Sequence, residues 1–353
     1  MGGPDGVADT PRTGPGCGRV TRVGRPETPD TARPAGAAAD GVAPHRPPDA
    51  SPALPPARGR AQRHPHGART VTVDSALGSL TAWRADPDES AAVEGPPATA
   101  VLLPGYSGSK EDFAPLVDAI AAAGIGVLAL DLPGQYESPG PDTEADYRPG
   151  ALGQVVAGVV ADEAAAGRRV LLLGHSFGGL VARAAVLAGA PVHGLTLMDS
   201  GPGELPMGGR RTQLDVVEPV LRRRGIDAVV ALRDASGEWS STDPEVVALL
   251  RERLRRSAVA GLLGMGDALR SEPDRTAELV AAVRARRVPC LIVCGVDDDA
   301  WPVSMQRTMA DRLEAEFASI PHAAHAPNVE NPTALLDVLV PTWRTWLRDD
   351  MLG

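Results

Sequence analysis

Residues 170–179 read Val-Leu-Leu-Leu-Gly-His-Ser-Phe-Gly-Gly, and this stretch decides the fold. Its first four residues form a short apolar run of the kind that fills a buried parallel strand, and the alanine-rich segment after Phe177 predicts a helix. Gly174, Ser176 and Gly178 stand between them in the order Gly-x-Ser-x-Gly, which is typical of a sharp strand-to-helix turn that exposes a serine hydroxyl. The helix would also aim the Phe177 amide at an oxyanion. The sequence therefore predicts a nucleophilic serine at position 176.

Apolar runs and helical patterns alternate on both sides of this turn. Strands are predicted at 70–74, 79–84, 99–103, 126–131, 169–174, 193–199, 288–294 and 316–320, and helices at 111–123, 149–166, 177–188, 304–315 and 332–347. Alternation of this kind is typical of a parallel sheet with helices on both faces. The predicted fold class is therefore α/β, with a doubly wound and mostly parallel sheet.

Two regions depart from this alternation. Residues 203–286 contain helical patterns at 213–224, 244–257 and 274–286 and no predicted strand, so we expect a helical cap at 203–286 inserted into a core formed by 69–202 and 287–353. Residues 1–68 contain 13 prolines, 11 glycines and no aromatic residue. A segment of this composition buries too little apolar surface to offset its conformational entropy, which predicts a disordered extension.

Composition and charge disfavour several classes of function. The 353-residue chain is 43% hydrophobic and 23% charged, which is ordinary for a soluble protein. Its net charge of −10 disfavours nucleic acid as a partner, because phosphate binding needs a basic face. No apolar run reaches the length of about 18 residues that a membrane span requires. Three cysteines are too few for a disulfide framework and suit a reduced, cytoplasmic location.

A nucleophilic serine needs a histidine base and an acid that orients the base. His322 and His325 follow the last predicted strand, and residues 297–299, three consecutive aspartates, follow the strand at 288–294. The carboxyl ends of parallel strands meet at one edge of a sheet, where doubly wound folds place their sites. From the residues alone, either histidine could reach Ser176. Two of the three aspartates are expected to be solvated turn residues.

Metal and cofactor chemistry finds no support in the sequence. Zinc requires tightly spaced His, Cys or Asp ligands, and no such cluster is present. Cys290 and Cys294 lie about 13 Å apart along one predicted strand, which is typical of core residues and too far for a disulfide. The glycines of 174–179 lack the lysine that follows in a phosphate-binding loop. We therefore expect neither a metal nor a cofactor.

Residues 69–347 resemble the α/β-hydrolase superfamily, in the branch of lipase- and esterase-like serine hydrolases with a helical cap. Ser176 matches the nucleophile of that family, and the chain order Ser, Asp, His agrees with it. The family acid stands three residues after a glycine and four before a proline, and this spacing fits Asp298 between Gly295 and Pro302. Some members draw the acid from the preceding strand end, which is Asp199 here.

The resemblance also separates the two histidines and implies an oxyanion hole. The family pattern Gly-His followed by Glu-x-Pro fits His325, although Ala324 replaces the glycine, and it does not fit His322. The loop after an early strand usually reads His-Gly-x, and here it reads Pro-Gly-Tyr at 104–106. The amides of Tyr106 and Phe177 are thus the implied oxyanion donors. Residues 131–138 resemble another family loop, without an assigned catalytic role.

The resemblance implies a serine hydrolase that cleaves a small-molecule ester, thioester, lactone or amide through an acyl-enzyme. The serine at position 176 argues against haloalkane dehalogenases and epoxide hydrolases, which share the fold of this family but carry aspartate at the corresponding turn. Three alternative functions stay open for a protein with Ser176, Asp298 and His325 in these places. They are a perhydrolase or haloperoxidase-like activity, an acyltransferase, and a non-catalytic member that only binds a ligand.

Overall fold

The computed structural model describes residues 1–2, 61–237 and 239–349. The predicted disordered extension at 1–68 falls mostly outside these residues. Its last part is described: Ala61–Arg63 forms a 3-10 helix, and Gln62 is buried and lies 3.5 Å from the Asp112 carboxylate as a hydrogen-bond donor. The His66 ring also packs on Trp83 at a centroid distance of 4.0 Å. The described residues 61–68 therefore include side chains that contact the folded body.

The described residues form an eight-stranded sheet in the order β1-β2-β4-β3-β5-β6-β7-β8. The strands β1 and β2 pair antiparallel, as do β2 and β4, and every other neighbouring pair is parallel. The predicted α/β class with a mostly parallel sheet is thus confirmed. The strand bounds are β1 (Arg69–Val73), β2 (Leu80–Ala85), β3 (Ala98–Leu103), β4 (Gly126–Leu130), β5 (Arg169–His175), β6 (Gly194–Met198), β7 (Cys290–Gly295) and β8 (Glu316–Ile320).

Helices cover both faces of the sheet, which explains why the central strands read as unbroken apolar runs. Every residue of β3 to β7 is buried. Among the described residues the helices are α1 (Ala114–Ala122), α2 (Pro149–Ala165), α3 (Phe177–Leu187), α4 (Gly209–Arg224), α5 (Ile226–Ser236), α6 (Pro244–Arg256), α7 (Val259–Ser271), α8 (Thr276–Arg286), α9 (Val303–Leu313), α10 (Pro327–Glu330) and α11 (Pro332–Asp349). Side chains of α2, α3, α8 and α9 fill one hydrophobic core, and those of α1 and α11 fill the core on the other face.

Helices α4 to α8 lie between β6 and β7, where the sequence predicted a helical cap. Side chains of α4 to α7 share a separate small hydrophobic cluster, whereas Leu279 and Val283 of α8 pack into the core with α3 and α9. The sequence analysis missed α5 and α7. In α7 the reason is glycine content, since Gly261, Gly264 and Gly266 weaken the helical signal. Gly264 is required by packing, because an added Cβ would collide with the Glu144 carbonyl oxygen.

No helix among the described residues is long and apolar enough to cross a membrane.

Helices α2 and α3 pack closely through small residues, and this contact generates a matched pair of stability predictions. An added Cβ at Gly153 would lie 2.6 Å from the Ala184 Cβ and 2.8 Å from its carbonyl carbon, whereas a Cβ at exposed Gly158 on the same helix would meet open space. Gly153→Ala should therefore lower the free energy of unfolding by about 2 kcal/mol. Gly158→Ala should raise it by about 0.5–1 kcal/mol through helix propensity. Denaturant unfolding of both variants measures this, and equal effects would contradict the proposed packing.

Candidate active site

Ser176 lies at the turn between β5 and α3, as its flanking glycines predict. Its backbone has φ 55° and ψ −121°, a conformation that L-residues rarely adopt, and its N–H donates to the Met198 carbonyl at the end of β6 over 2.8 Å. An added Cβ at Gly178 would lie 2.5 Å from the carbonyl oxygens of Leu103 and Pro104, and one at Gly174 would collide with the Gly178 carbonyl. The turn therefore requires glycine at both positions and brings the end of β3 against the serine.

The structure brings His325 to Ser176. The His325 Nε2 lies 2.8 Å from the Ser176 Oγ, and its Nδ1 lies 2.8 Å from the Asp298 Oδ1. Both ring nitrogens are engaged, and His325 is only 9% exposed. His322, the alternative base, is exposed and has no contact with the serine. The structure thus places His325, and not His322, beside the serine.

Asp298 lies in the loop after β7 with its side chain fully buried. It accepts hydrogen bonds from the Ala300 amide at 2.9 Å and the Gln306 Nε2 at 2.6 Å as well as from His325. Burial alone would raise the pKa of Asp298, but the hydrogen bond and charge of His325 outweigh it and hold the pKa below its ordinary value. The carboxylate is therefore ionised at neutral pH, so the His325 Nδ1–H donates to it and Nε2 is left to accept from the serine hydroxyl.

The other two aspartates of the triplet lie outside this chain of hydrogen bonds. Asp297 is exposed, and Asp299 pairs with Arg210 at 2.8 Å. This matches the expectation that two of the three would be surface turn residues.

The amides implied as oxyanion donors lie on the segments that flank Ser176. Phe177 begins α3, so its N–H has no partner within the helix. The Tyr106 N–H takes part in no hydrogen bond among the described residues. The Gly105 carbonyl belongs to the same peptide group as the Tyr106 N–H. It accepts hydrogen bonds from the Gln135 Nε2 at 2.8 Å and from the Gly108 amide at 3.0 Å. Because C=O and N–H point in opposite directions across a trans peptide, these two bonds fix the direction of the Tyr106 N–H.

A buried ion pair ties the loop after β3 to the loop after β4. The only lysine of the chain, Lys110, is 1% exposed, and its Nζ lies 2.8 Å from the Asp131 Oδ2 and 2.7 Å from the Glu137 Oε2. The Lys110 backbone N–H also donates to the Asp131 Oδ1 at 2.7 Å. Residues 131–138, which the sequence analysis left without a role, therefore hold the segment that carries Tyr106.

Four side chains around the site were not predicted to support it. They are Gln135, His175, Gln306 and Asp199. The His175 Nε2–H donates to the His325 carbonyl at 2.7 Å. Burial lowers the pKa of His175 to about 4, and the nearby charge of His325 acts in the same direction. Asp199, which the resemblance raised as an alternative acid, lies close to Asp298 but does not bond to the imidazole. No local motif distinguishes Gln135 or Gln306 from surface glutamines.

One group of side chains among the described residues has the composition of a metal site. Ligand atoms of Asp199, Asp298 and His325 lie within 4.8 Å of one another. A cation there would have to displace the proton between the His325 Nδ1 and Asp298, because that nitrogen and oxygen are already hydrogen-bonded. The arrangement therefore suits proton transfer better than metal ligation.

An eight-stranded sheet of this order, with a serine at the turn after β5 and a histidine after β8, defines the α/β-hydrolase fold. Residues 100–338 match the model of the alpha/beta hydrolase family. The match covers most of the 353 residues, and the chain belongs to this family.

Solved structures with the same fold include several hydrolases. An esterase from Thermogutta terrifontis is 23% identical with a TM-score of 0.58, over 80% of this chain and 99% of that one. A structure reported with the carboxylesterases of Nitrososphaera gargenis is 18% identical with a TM-score of 0.62, over 79% and 100%. The enol-lactonase of Burkholderia xenovorans LB400 is 20% identical with a TM-score of 0.59, over 78% and 99%. At these identities the likeness concerns the fold. The curated proteins contain no match to the sequence.

The low pKa of His175 predicts a pH dependence of stability with a defined sign. The folded state binds a proton at this ring only near pH 4, whereas the unfolded chain binds it near 6.5. Stability is therefore lost as the pH falls through this window, by about 2 kcal/mol between about pH 7 and about pH 5. His175→Gln keeps a donor for the His325 carbonyl and removes the titration. Denaturant unfolding at both pH values should show a smaller acid-induced loss for the variant, and an unchanged loss would contradict the buried neutral histidine.

Proposed function

We propose that this protein is a serine hydrolase that cleaves an ester, thioester, lactone or amide through an acyl-enzyme. The observation that carries the proposal is the continuous chain of hydrogen bonds from the Ser176 Oγ through His325 to Asp298, with both links at 2.8 Å. A base within hydrogen-bond reach of a nucleophile, itself oriented by a third group, is the arrangement that acyl transfer needs.

The proposed reaction follows from the protonation states of these groups. The neutral Nε2 of His325 takes the proton of Ser176 as its Oγ forms a bond to the carbonyl carbon of the substrate. Asp298 holds the imidazole in the required tautomer and stabilises its charged form. The negative charge on the carbonyl oxygen is stabilised by the amides of Tyr106 and Phe177.

Collapse of this intermediate breaks the bond between the carbonyl carbon and the leaving group, to which His325 gives its proton. The acyl group then remains on the Ser176 Oγ. In the second half, His325 removes a proton from water, the hydroxide oxygen bonds to the acyl carbon, and the proton returns to Ser176 as the acid product leaves. Atoms and protons balance over the cycle without a cofactor.

Tyr106 packs beside apolar side chains of α4 and α7. A small recess beside the Tyr106 ring is lined by Leu214 and Leu221 of α4 and by Leu262 and Leu263 of α7. Glu218 and Arg270 also line this recess. The esterase and lactonase activities in the names of the similar structures agree with a carboxylic ester or lactone as the first substrate class to test.

The proposal predicts covalent labelling of one serine. A fluorophosphonate probe should label the wild type, and Ser176→Ala should abolish both labelling and hydrolysis of p-nitrophenyl esters while the thermal unfolding midpoint changes little. Ser200→Ala is a matched control, since Ser200 is a second buried serine near the end of β6. It should remain labelled. Labelling that survives in Ser176→Ala would sink the assignment, and a wild type that binds esters without labelling would be a non-catalytic binding protein.

The same assays distinguish the base and the acid. His325→Ala should lower kcat/KM by several orders of magnitude, whereas exposed His322→Ala should have little effect. Asp298→Asn should lower kcat by about 10⁴-fold, because the amide favours the wrong imidazole tautomer. Asp297→Asn, one residue away and exposed, is the matched control and should retain activity. An active Asp298→Asn variant would assign the acid elsewhere.

The orientation of the Tyr106 amide predicts a role for Gln135. Gln135→Met preserves side-chain volume but removes the donor to the Gly105 carbonyl, so the peptide is held only by the Gly108 amide. Since losing an oxyanion donor costs about 10²–10³ in rate, a loosened donor should lower kcat by about tenfold, with little change in KM. Gln62→Met removes another buried glutamine, which bonds to Asp112, and serves as the control. Equal kcat values for the two variants would contradict the role of Gln135.

A further inference from the structure

Asp199 is a fully buried carboxyl group next to the proposed acid. It follows β6 and has φ 46°, an unusual backbone conformation for a non-glycine residue. Its Oδ1 accepts a hydrogen bond from the Gly295 amide at 2.9 Å. Its Oδ2 is buried and finds no hydrogen-bond donor among the described residues. A buried carboxylate oxygen without a donor is costly, so this atom requires an explanation.

The missing donor is explained if Asp199 itself carries a proton. Ligand atoms of Asp199 and Asp298 lie within 4.8 Å of each other, and two carboxylates that close in a buried site do not both ionise. The groups that face Asp199 are Asp298 from the loop after β7, Cys294 from β7, His325 from the loop after β8, and Glu330 from α10. No arginine or lysine among the described residues pairs with either aspartate.

Hydrogen-bond donors decide which of the two aspartates holds the proton. Asp298 accepts from three donors, namely His325, Ala300 and Gln306, and these favour its charged form. Asp199 accepts only from the Gly295 amide. Burial raises the pKa of Asp199 well above its ordinary value, and the charge of Asp298 raises it further. The proton therefore resides on Asp199.

We propose that Asp199 is a neutral carboxylic acid whose Oδ2–H donates a hydrogen bond to Asp298, and that it is a positioning residue for the proposed hydrolytic site. The inference rests on the proposed function, since Asp298 is the acid of that mechanism. A neutral donor at this place holds the Asp298 carboxylate toward the imidazole. It also keeps a second negative charge away from the His325 imidazole.

Asp199→Asn tests this assignment, because asparagine reproduces a neutral acid: its Nδ2 donates to Asp298 and its Oδ1 accepts from Gly295. The variant should retain kcat/KM within about threefold of the wild type, with the midpoint of the acid limb of the pH profile unmoved. If Asp199 were ionised, removing its charge would shift that midpoint down by about one pH unit. If Asp199 were the catalytic acid, the variant would be inactive. Either result would overturn the proposal.

Asp199→Ala removes the donor and should lower kcat about tenfold with KM nearly unchanged, and asparagine should restore kcat. A merely structural role would lower the amount of folded enzyme without changing kcat per labelled site, and that outcome would also overturn the proposal. Counting sites with the fluorophosphonate probe separates these cases.

Two readouts need no activity and apply if the alanine variant fails to fold. Infrared difference spectra at neutral pH should show the carbonyl stretch of a protonated carboxylic acid in the wild type and its loss in Asp199→Asn. In addition, a raised folded pKa means that the wild type loses stability as the pH rises above 3.8, so the stability advantage of Asp199→Asn should grow with pH. An absent band or a constant stability difference would refute the neutral acid. A wild type that resists the probe would instead refute the proposed function.

Discussion

Close backbone contact at the turn after β5 is the constraint on which the site depends. Gly178 lies against the carbonyls of Leu103 and Pro104, and Gly174 lies against Gly178, so that no side chain fits between these segments. This contact holds the end of β3, which leads to Tyr106, beside the start of α3, which carries the Phe177 amide. The positive φ of Ser176 then directs its hydroxyl to the same side as the loops after β7 and β8. The sheet edge thus holds the serine and both amides in fixed positions, as the proposed hydrolysis requires.

The polar groups of the site form two layers with different tasks. Hydrogen bonds link Ser176, His325 and Asp298 in line, and two of these residues are held by a further side chain outside this line. Asp298 is held by Gln306, and the backbone of His325 is held by the neutral ring of His175. Such outer contacts limit the rotamers of the inner groups and so keep the chain of hydrogen bonds in one geometry.

Much of this arrangement could be predicted from the sequence because its signals are local. Short stretches of chain contain the glycines around Ser176, the Gly295-to-Pro302 spacing around Asp298 and the residues after His325. The first two stretches also follow strands with a clear apolar pattern. The supporting contacts were not predictable in this way. Gln135 meets Gly105, and Asp199 meets Asp298, only through the folded chain, and neither residue type marks such a role. Helix α7 was missed because its glycines lower the helix propensity, although one of them, Gly264, is required by close contact with the Glu144 carbonyl oxygen.

The buried position of Lys110 has a practical consequence for handling the protein. Since the sequence contains no other lysine and the Lys110 Nζ is enclosed by carboxylates, amine-directed reagents find no accessible side-chain amine on the folded protein. Coupling to a surface or a fluorophore through a lysine side chain of this sequence therefore requires the fold around Lys110 to open. Reaction at Lys110 would then report that the loops after β3 and β4 have separated, which makes this one amine a chemical sensor of the integrity of the site.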